Sequence, residues 1–156
     1  MCIRDRISTG FAPNRLVLGY DVFDKLKRHP TVRDYYKYVS ADVITADMLA
    51  AVFEVEQVMV ASAVFASNNE GETGAYAFVH GKGALLCYAA PRPSTMLPSA
   101  GYVFGWTGIS QGMGVEVAVE RFDMRHLKVT RVEATLAFDH KRVAADLGAF
   151  FSSIVA

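Results

Sequence analysis

The sequence predicts an α+β fold: a mixed sheet flanked by short helices, with a long antiparallel hairpin set apart from it. Three observations predict it. Strands and helices fall in blocks, not in regular strand–helix–strand alternation. Several apolar runs have strand length and lie between turn residues. Toward the C-terminal end the pattern changes to a clean period of two.

The elements follow in order. Leu16-Val17-Leu18 is a short buried strand, released by Gly19 into a helix over Tyr20 to Arg28. Val22, Phe23 and Leu26 share one face of that helix. Asp21 and Asp24 lie in its first turns and Lys27 and Arg28 in its last, which suits the helix dipole. Pro30 stops it and starts a second helix, Thr31 to Lys37. Thr45 caps a third, Ala46 to Phe53, whose apolar face carries Met48, Leu49, Val52 and Phe53.

Gln57 to Ala66 reads as one long strand. Both of its faces are mostly apolar, so a central place in the sheet is expected. Ser67 to Gly74 is an exposed loop, Ala75 to Val79 a short strand and Ala84 to Ala89 a buried one. Pro91, Pro93 and Pro98 enforce an extended segment before the aromatic strand Tyr102 to Trp106. Gly108 to Gly114 is a glycine-rich turn. Beyond it Val115, Val117 and Val119 alternate with Glu116, Ala118 and Glu120. Val132, Ala134, Leu136 and Phe138 alternate with Arg131, Glu133, Thr135 and Ala137. This is a hairpin with one apolar and one charged face, connected through Phe122 to Leu127. Lys141 to Leu147 is expected as a short helical turn and Ala149 to Val155 as a final strand.

With 156 residues, 52% of them hydrophobic, the chain is suited to one domain with a sizeable core. Lysine and arginine balance aspartate and glutamate at 16 each, so nothing in the overall charge advertises a nucleic-acid or membrane surface. No apolar stretch approaches the ~20 residues of a membrane helix. The two cysteines, Cys2 and Cys87, make no disulfide framework, and Cys87 reads as a buried thiol. Met1 to Arg6 resembles translated sequencing adapter. That predicts a non-native or disordered start over residues 1–11 and an absent upstream portion.

The search for chemistry yields little. His29, His80, His126 and His140 have no metal-ligand spacing, and His29 sits where a helix end favours a cation. Gly81-Lys82-Gly83 fails as a phosphate loop because position 76 is Tyr76 and Gly83 stands where a hydroxyl residue is needed. Gly108 to Gly114 opens a strand, which excludes a dinucleotide fingerprint. Its Gly108-Ile109-Ser110-Gln111-Gly112 matches the hydrolase elbow with Ser110 as nucleophile, but no helix follows. Glu54 with Glu56, and Asp42 with Asp47, read as solvated carboxylates. Arg121, Arg125, Lys128 and Arg131, with Lys141 and Arg142 beyond, form the basic cluster. Salt bridges between neighbouring copies are its expected role. No catalytic, cofactor-binding or metal residue is assigned.

Several blocks together resemble one family. They are Pro13-Asn14-Arg15-Leu16-Val17-Leu18-Gly19 through Leu26-Lys27-Arg28-His29-Pro30, then Leu85-Leu86-Cys87-Tyr88 with Pro91-Arg92-Pro93-Ser94, then Pro98 to Tyr102 and Phe104-Gly105-Trp106, and finally Ala144 to Gly148. The ordered set is similar to the major capsid proteins of tailed bacteriophages, whose capsid fold is shared with herpesviruses. The resemblance implies an axial domain over 12–112 and 147–156 and a peripheral-domain hairpin over 113–140, an incomplete form of the fold. It also implies a shell subunit that assembles into hexamers and pentamers in the bacterial host cytoplasm and resides in the virion. Its partners would be identical subunits, scaffold, portal or decoration proteins, and packaged DNA contacted without sequence specificity. No membrane, cofactor or catalysis is implied. Another phage structural protein, of the head decoration or tail, is the alternative, with a small α+β enzyme behind it.

Overall fold

The computed structural model describes residues 7, 9–37, 43–71, 73–106, 108 and 117–155. They belong to two compact units, residues 1–100 with 144–156, and residues 101–143. The architecture is mixed α+β, as the sequence predicts.

The first unit is built on a four-stranded sheet. Strand β1 (Arg15–Gly19) pairs in parallel with β2 (Gln57–Ala61) and antiparallel with β5 (Ala84–Cys87), and β10 (Gly148–Phe151) closes the far edge on β5. Among the described residues three helices accompany it: α1 (Tyr20–Arg28), α2 (Pro30–Tyr35) and α3 (Ala46–Phe53). The core joins Leu16 and Leu18 of β1 to Val22 of α1, Val32 of α2, Leu49 and Ala50 of α3, Val58 of β2 and Leu86 of β5. Leu49 is fully enclosed. Strand alternation and helix periodicity thus send one apolar set inward from each element.

Local signals explain the helices. Pro30 stands at the first position of α2. The Thr45 hydroxyl accepts a hydrogen bond from the Met48 amide at 3.4 Å, capping α3. At the far end Glu54 takes a left-handed conformation, φ 54°, and the chain turns into β2. Gly19 marks the switch from β1 to α1 for a packing reason. A Cβ there would lie 2.0 Å from the Gly81 carbonyl oxygen, and the Gly19 amide donates to the Gly83 carbonyl at 2.9 Å. The turn at residues 80–83 therefore lies directly against the start of α1.

The strand expected over Gln57 to Ala66 is instead two. It breaks at Ser62-Ala63, after which β3 (Val64–Ala66) pairs with β4 (Tyr76–Phe78) as a separate ribbon. Nor is its first half central: β2 is an edge strand, and β1 and β5 hold the middle. Apolar residues on both faces indicated burial. In fact Val58 alone of β2 is buried, while Met59 is exposed.

The second unit is an extended two-stranded ribbon in two ladders. Strands β7 (Val117–Met124) and β8 (Val129–Leu136) form a hairpin, and β6 (Gly101–Gly105) pairs with β9 (Phe138–Arg142). The Trp106 amide donates to the Ala137 carbonyl at 3.0 Å and carries the pairing past the end of the second ladder. Three expectations change here. The aromatic strand expected with the axial sheet pairs with Phe138–Arg142 in this unit. Lys141 and Arg142 are strand, not helix, and a short 3-10 turn begins only at Ala145. Phe122 to Met124 are strand as well, because the reversal is confined to 125–128, with Lys128 at φ 52°.

Candidate assembly surface

Strand pairing fixes which side chains share a face of the β7–β8 ribbon. Val119 lies opposite Ala134, Arg121 opposite Val132 and Asp123 opposite Thr130, all on the face that also carries Leu136. The other face sets Glu120 opposite Glu133, Phe122 opposite Arg131 and Met124 opposite Val129. The first face is thus apolar over the half nearer Leu136 and polar toward the turn. There the Thr130 hydroxyl donates to the Asp123 carboxylate at 2.8 Å. The second face is not uniformly charged, because Phe122, Met124 and Val129 lie on it.

Among the described residues no further layer covers either face. Every residue of β8 is exposed, with Val132 at 58% and Leu136 at 51%, and Val119 opposite them is 60% exposed. Val103, Phe104 and Phe138 of the second ladder are exposed too, as is Trp106. A two-stranded ribbon without a covering layer is marginal in water. Exposed apolar side chains gathered on one face make this ribbon the candidate for association.

The basic cluster divides between the faces. Arg121 is on the Val132 side, Arg131 on the other, and Arg125 and Lys128 flank the turn. Arg131 is already engaged within the ribbon, 3.2 Å from Glu133 of its own strand and 5.7 Å over the Phe122 ring across the pair. Lys141 pairs with Asp139 at 3.6 Å. Glu120 faces Glu133, and like charges directly opposite are unfavourable on an isolated ribbon.

The other residues weighed for chemistry occupy structural places. His29 lies between α1 and α2, its amide donating to the Leu26 carbonyl. His80 packs its ring 5.7 Å from Phe150 and leaves Nε2 buried without a partner. His140 packs edge-on to Phe138, and His126 is in the ribbon turn. Gly81-Lys82-Gly83 forms the turn against α1. Glu54 ends α3, whereas Glu56 accepts from the Asn14 side chain at 3.3 Å. Asp47 is in the first turn of α3. Ser110, Gly112, Gly114 and Asp42 lie outside the described residues, as do Cys2 and the adapter-like Met1 to Arg6. Among the described residues no three His, Cys, Asp or Glu side chains group as a metal site would need, and no helix is long and apolar enough to cross a membrane.

Sequence reasoning missed a second basic surface. Lys27 and Arg28 at the end of α1, and Arg33 and Lys37 in and beyond α2, line one open cleft of about 710 Å³. Pro30 separates the two pairs in sequence, and only the corner between the helices brings them together.

No protein-family model matches the chain. Over 154 residues it is 27% identical to the major capsid protein of Burkholderia phage BcepMu, covering 96% of this chain and 46% of that protein. Its structure is similar to the crystal structure of a phage-related protein from Bordetella bronchiseptica, with a TM-score of 0.83 and 26% identity, covering 99% of this chain and 50% of that one. The chain spans about half the length of both relatives. Both similarities are to phage proteins, and the one to a major capsid protein suggests a phage structural role.

Proposed function

We propose that the chain is a subunit of an icosahedral phage head, self-assembling into hexamers and pentamers that enclose double-stranded DNA. The observation that carries this reading is the uncovered β7–β8 ribbon in a chain similar to a capsid protein. Its apolar half, Val119, Val132, Ala134 and Leu136, is bare on a ribbon too thin to bury it. A further polypeptide layer, supplied within the assembled shell, buries that surface.

In this reading the four-stranded unit is the axial domain that gathers around hexamer and pentamer centres, and the ribbon belongs to the peripheral domain. Arg125 and Lys128 at the ribbon turn meet carboxylates of neighbouring copies. Each such exposed pair contributes little, about 1 kcal/mol or less. Repetition around a closed ring makes the sum stable and sets the register. Assembly takes place in the host cytoplasm and the product is the virion shell.

Negative-stain electron microscopy of the expressed chain, over a range of concentration and salt, tests the proposal. Rings of five and six copies, or closed shells, are expected. Monomers at every concentration and salt would count against it.

A further inference from the structure

We propose that the cleft between α1 and α2 is a contact surface for the phosphate backbone of double-stranded nucleic acid. The inference rests on the shell reading for the polymer at hand, packaged DNA, and on the cleft for the chemistry.

Among the described residues, four cations, Lys27, Arg28, Arg33 and Lys37, line this cleft against two carboxylates, Asp24 and Asp34. The whole chain, by contrast, has a formal net charge of zero. One of the two carboxylates is already engaged, since Arg28 lies 3.0 Å from Asp24. Lys27 is held in place with its ammonium 4.3 Å from the centre of the Phe23 ring. Arg33 and Lys37 are exposed and four residues apart, and no carboxylate of the described residues pairs with either. Like charges gathered in one concavity repel each other.

The favourable pull of a helix C-terminus on cations accounts for each pair separately. It does not account for both pairs lining one concavity. An anion seated there relieves the repulsion and neutralises the excess. The contact proposed is to phosphate, which carries no sequence preference. Affinity for one copy is therefore weak, on the order of the 10⁻⁴–10⁻⁶ M typical of non-specific binding. A shell presenting many copies multiplies it.

The test is fluorescence anisotropy of a labelled duplex titrated with the full chain, at roughly 50 mM and roughly 200 mM salt. With four phosphate contacts, binding is expected to weaken about 100-fold between them. Arg33→Glu with Lys37→Glu should weaken binding at low salt by about tenfold or more, and Arg33→Lys with Lys37→Arg should retain it. Lys82→Glu with Arg92→Glu reverses as many charges at exposed positions outside the cleft and should leave binding unchanged. No duplex binding at low salt overturns the inference, and so does an equal loss from this second pair. Electron microscopy of the same preparations separates the two claims. Particles without duplex binding sink this inference alone, whereas duplex binding without particles sinks the shell reading.

Discussion

Asn14 and Ala89, 75 residues apart, exchange two hydrogen bonds: the Asn14 side-chain amide donates to the Ala89 carbonyl at 2.9 Å, and the Ala89 amide donates to the Asn14 side-chain oxygen at 2.8 Å. The backbone of Asn14 continues the network. Its amide donates to the Cys87 carbonyl, and its carbonyl accepts from both Glu56 and Gln57. One residue, 8% exposed, thus ties the entry of β1 to the start of β2 and the end of β5. Asn14→Ala would leave both polar groups of Ala89 without that partner. We expect a loss of about 2–4 kcal/mol, read from urea unfolding of the chain. A change below about 0.5 kcal/mol would show that water replaces the side chain without cost.

Gly19→Ala should be costly for a reason unrelated to backbone freedom, since Gly19 has an ordinary φ of −64°. The added methyl would stand 2.0 Å from the Gly81 carbonyl oxygen, and a carbonyl in a tight turn cannot swing away as a side chain can. Overpacking of this kind costs about 1–3 kcal/mol. Gly81→Ala is the contrast. Its nearest neighbour is the Asp21 carboxylate at 2.8 Å, the far end of a movable side chain. Urea midpoints should rank Gly19→Ala well below Gly81→Ala, and the reverse order would mean the turn yields more easily than the helix start.

Burial pushes the Cys87 thiol above its ordinary range, and the Arg15 guanidinium only partly opposes this. The thiolate is the reactive form, so its share at pH 8 is reduced and its labelling by a disulfide reagent should be slower than that of a free thiol. The rate should still be climbing at a pH where an exposed cysteine has levelled. Arg15→Ala removes the opposing charge and should slow the reaction further. An accelerated reaction would show that Arg15 acts by covering the sulfur, through its contact with Gln57 across the strand pair, more than by its charge.

How far these features were legible depended on whether their cause is local. Tyr20–Arg28 and Ala46–Phe53 were legible because cap, charge order and apolar face all lie within the segment, with Thr45 and Met48 three residues apart. The edge position of Gln57–Ala61 was not, because edge or centre is decided by which distant strand pairs, here Arg15–Gly19 on one side alone. Alternation revealed the apolar half of the ribbon at Val119, Val132 and Leu136. It did not reveal that Phe122 to Met124 continue the strand, which depends on the left-handed Lys128 tightening the reversal. The cationic cleft was invisible because Arg28 and Arg33 are apposed by a helix corner.

The bare ribbon predicts a separation of stability from association. Val132→Glu places a carboxylate directly opposite Arg121 and beside Val119, Ala134 and Leu136, on a face exposed among the described residues. Unfolding free energy should change by less than about 0.5 kcal/mol, as for other surface sites. Association, followed by sedimentation velocity at rising concentration, should be lost or sharply weakened. A destabilised monomer would mean that the valine is packed in the free chain after all.

The most direct measurement is thiol labelling of a Val132→Cys variant in a Cys2→Ser background, with Cys87 as the slow internal reference, in dilute solution and in particles. The account predicts rapid labelling of the dilute chain and strong protection at position 132 once particles form. Equal rates in both states, or protection already present in dilute monomer, would contradict it.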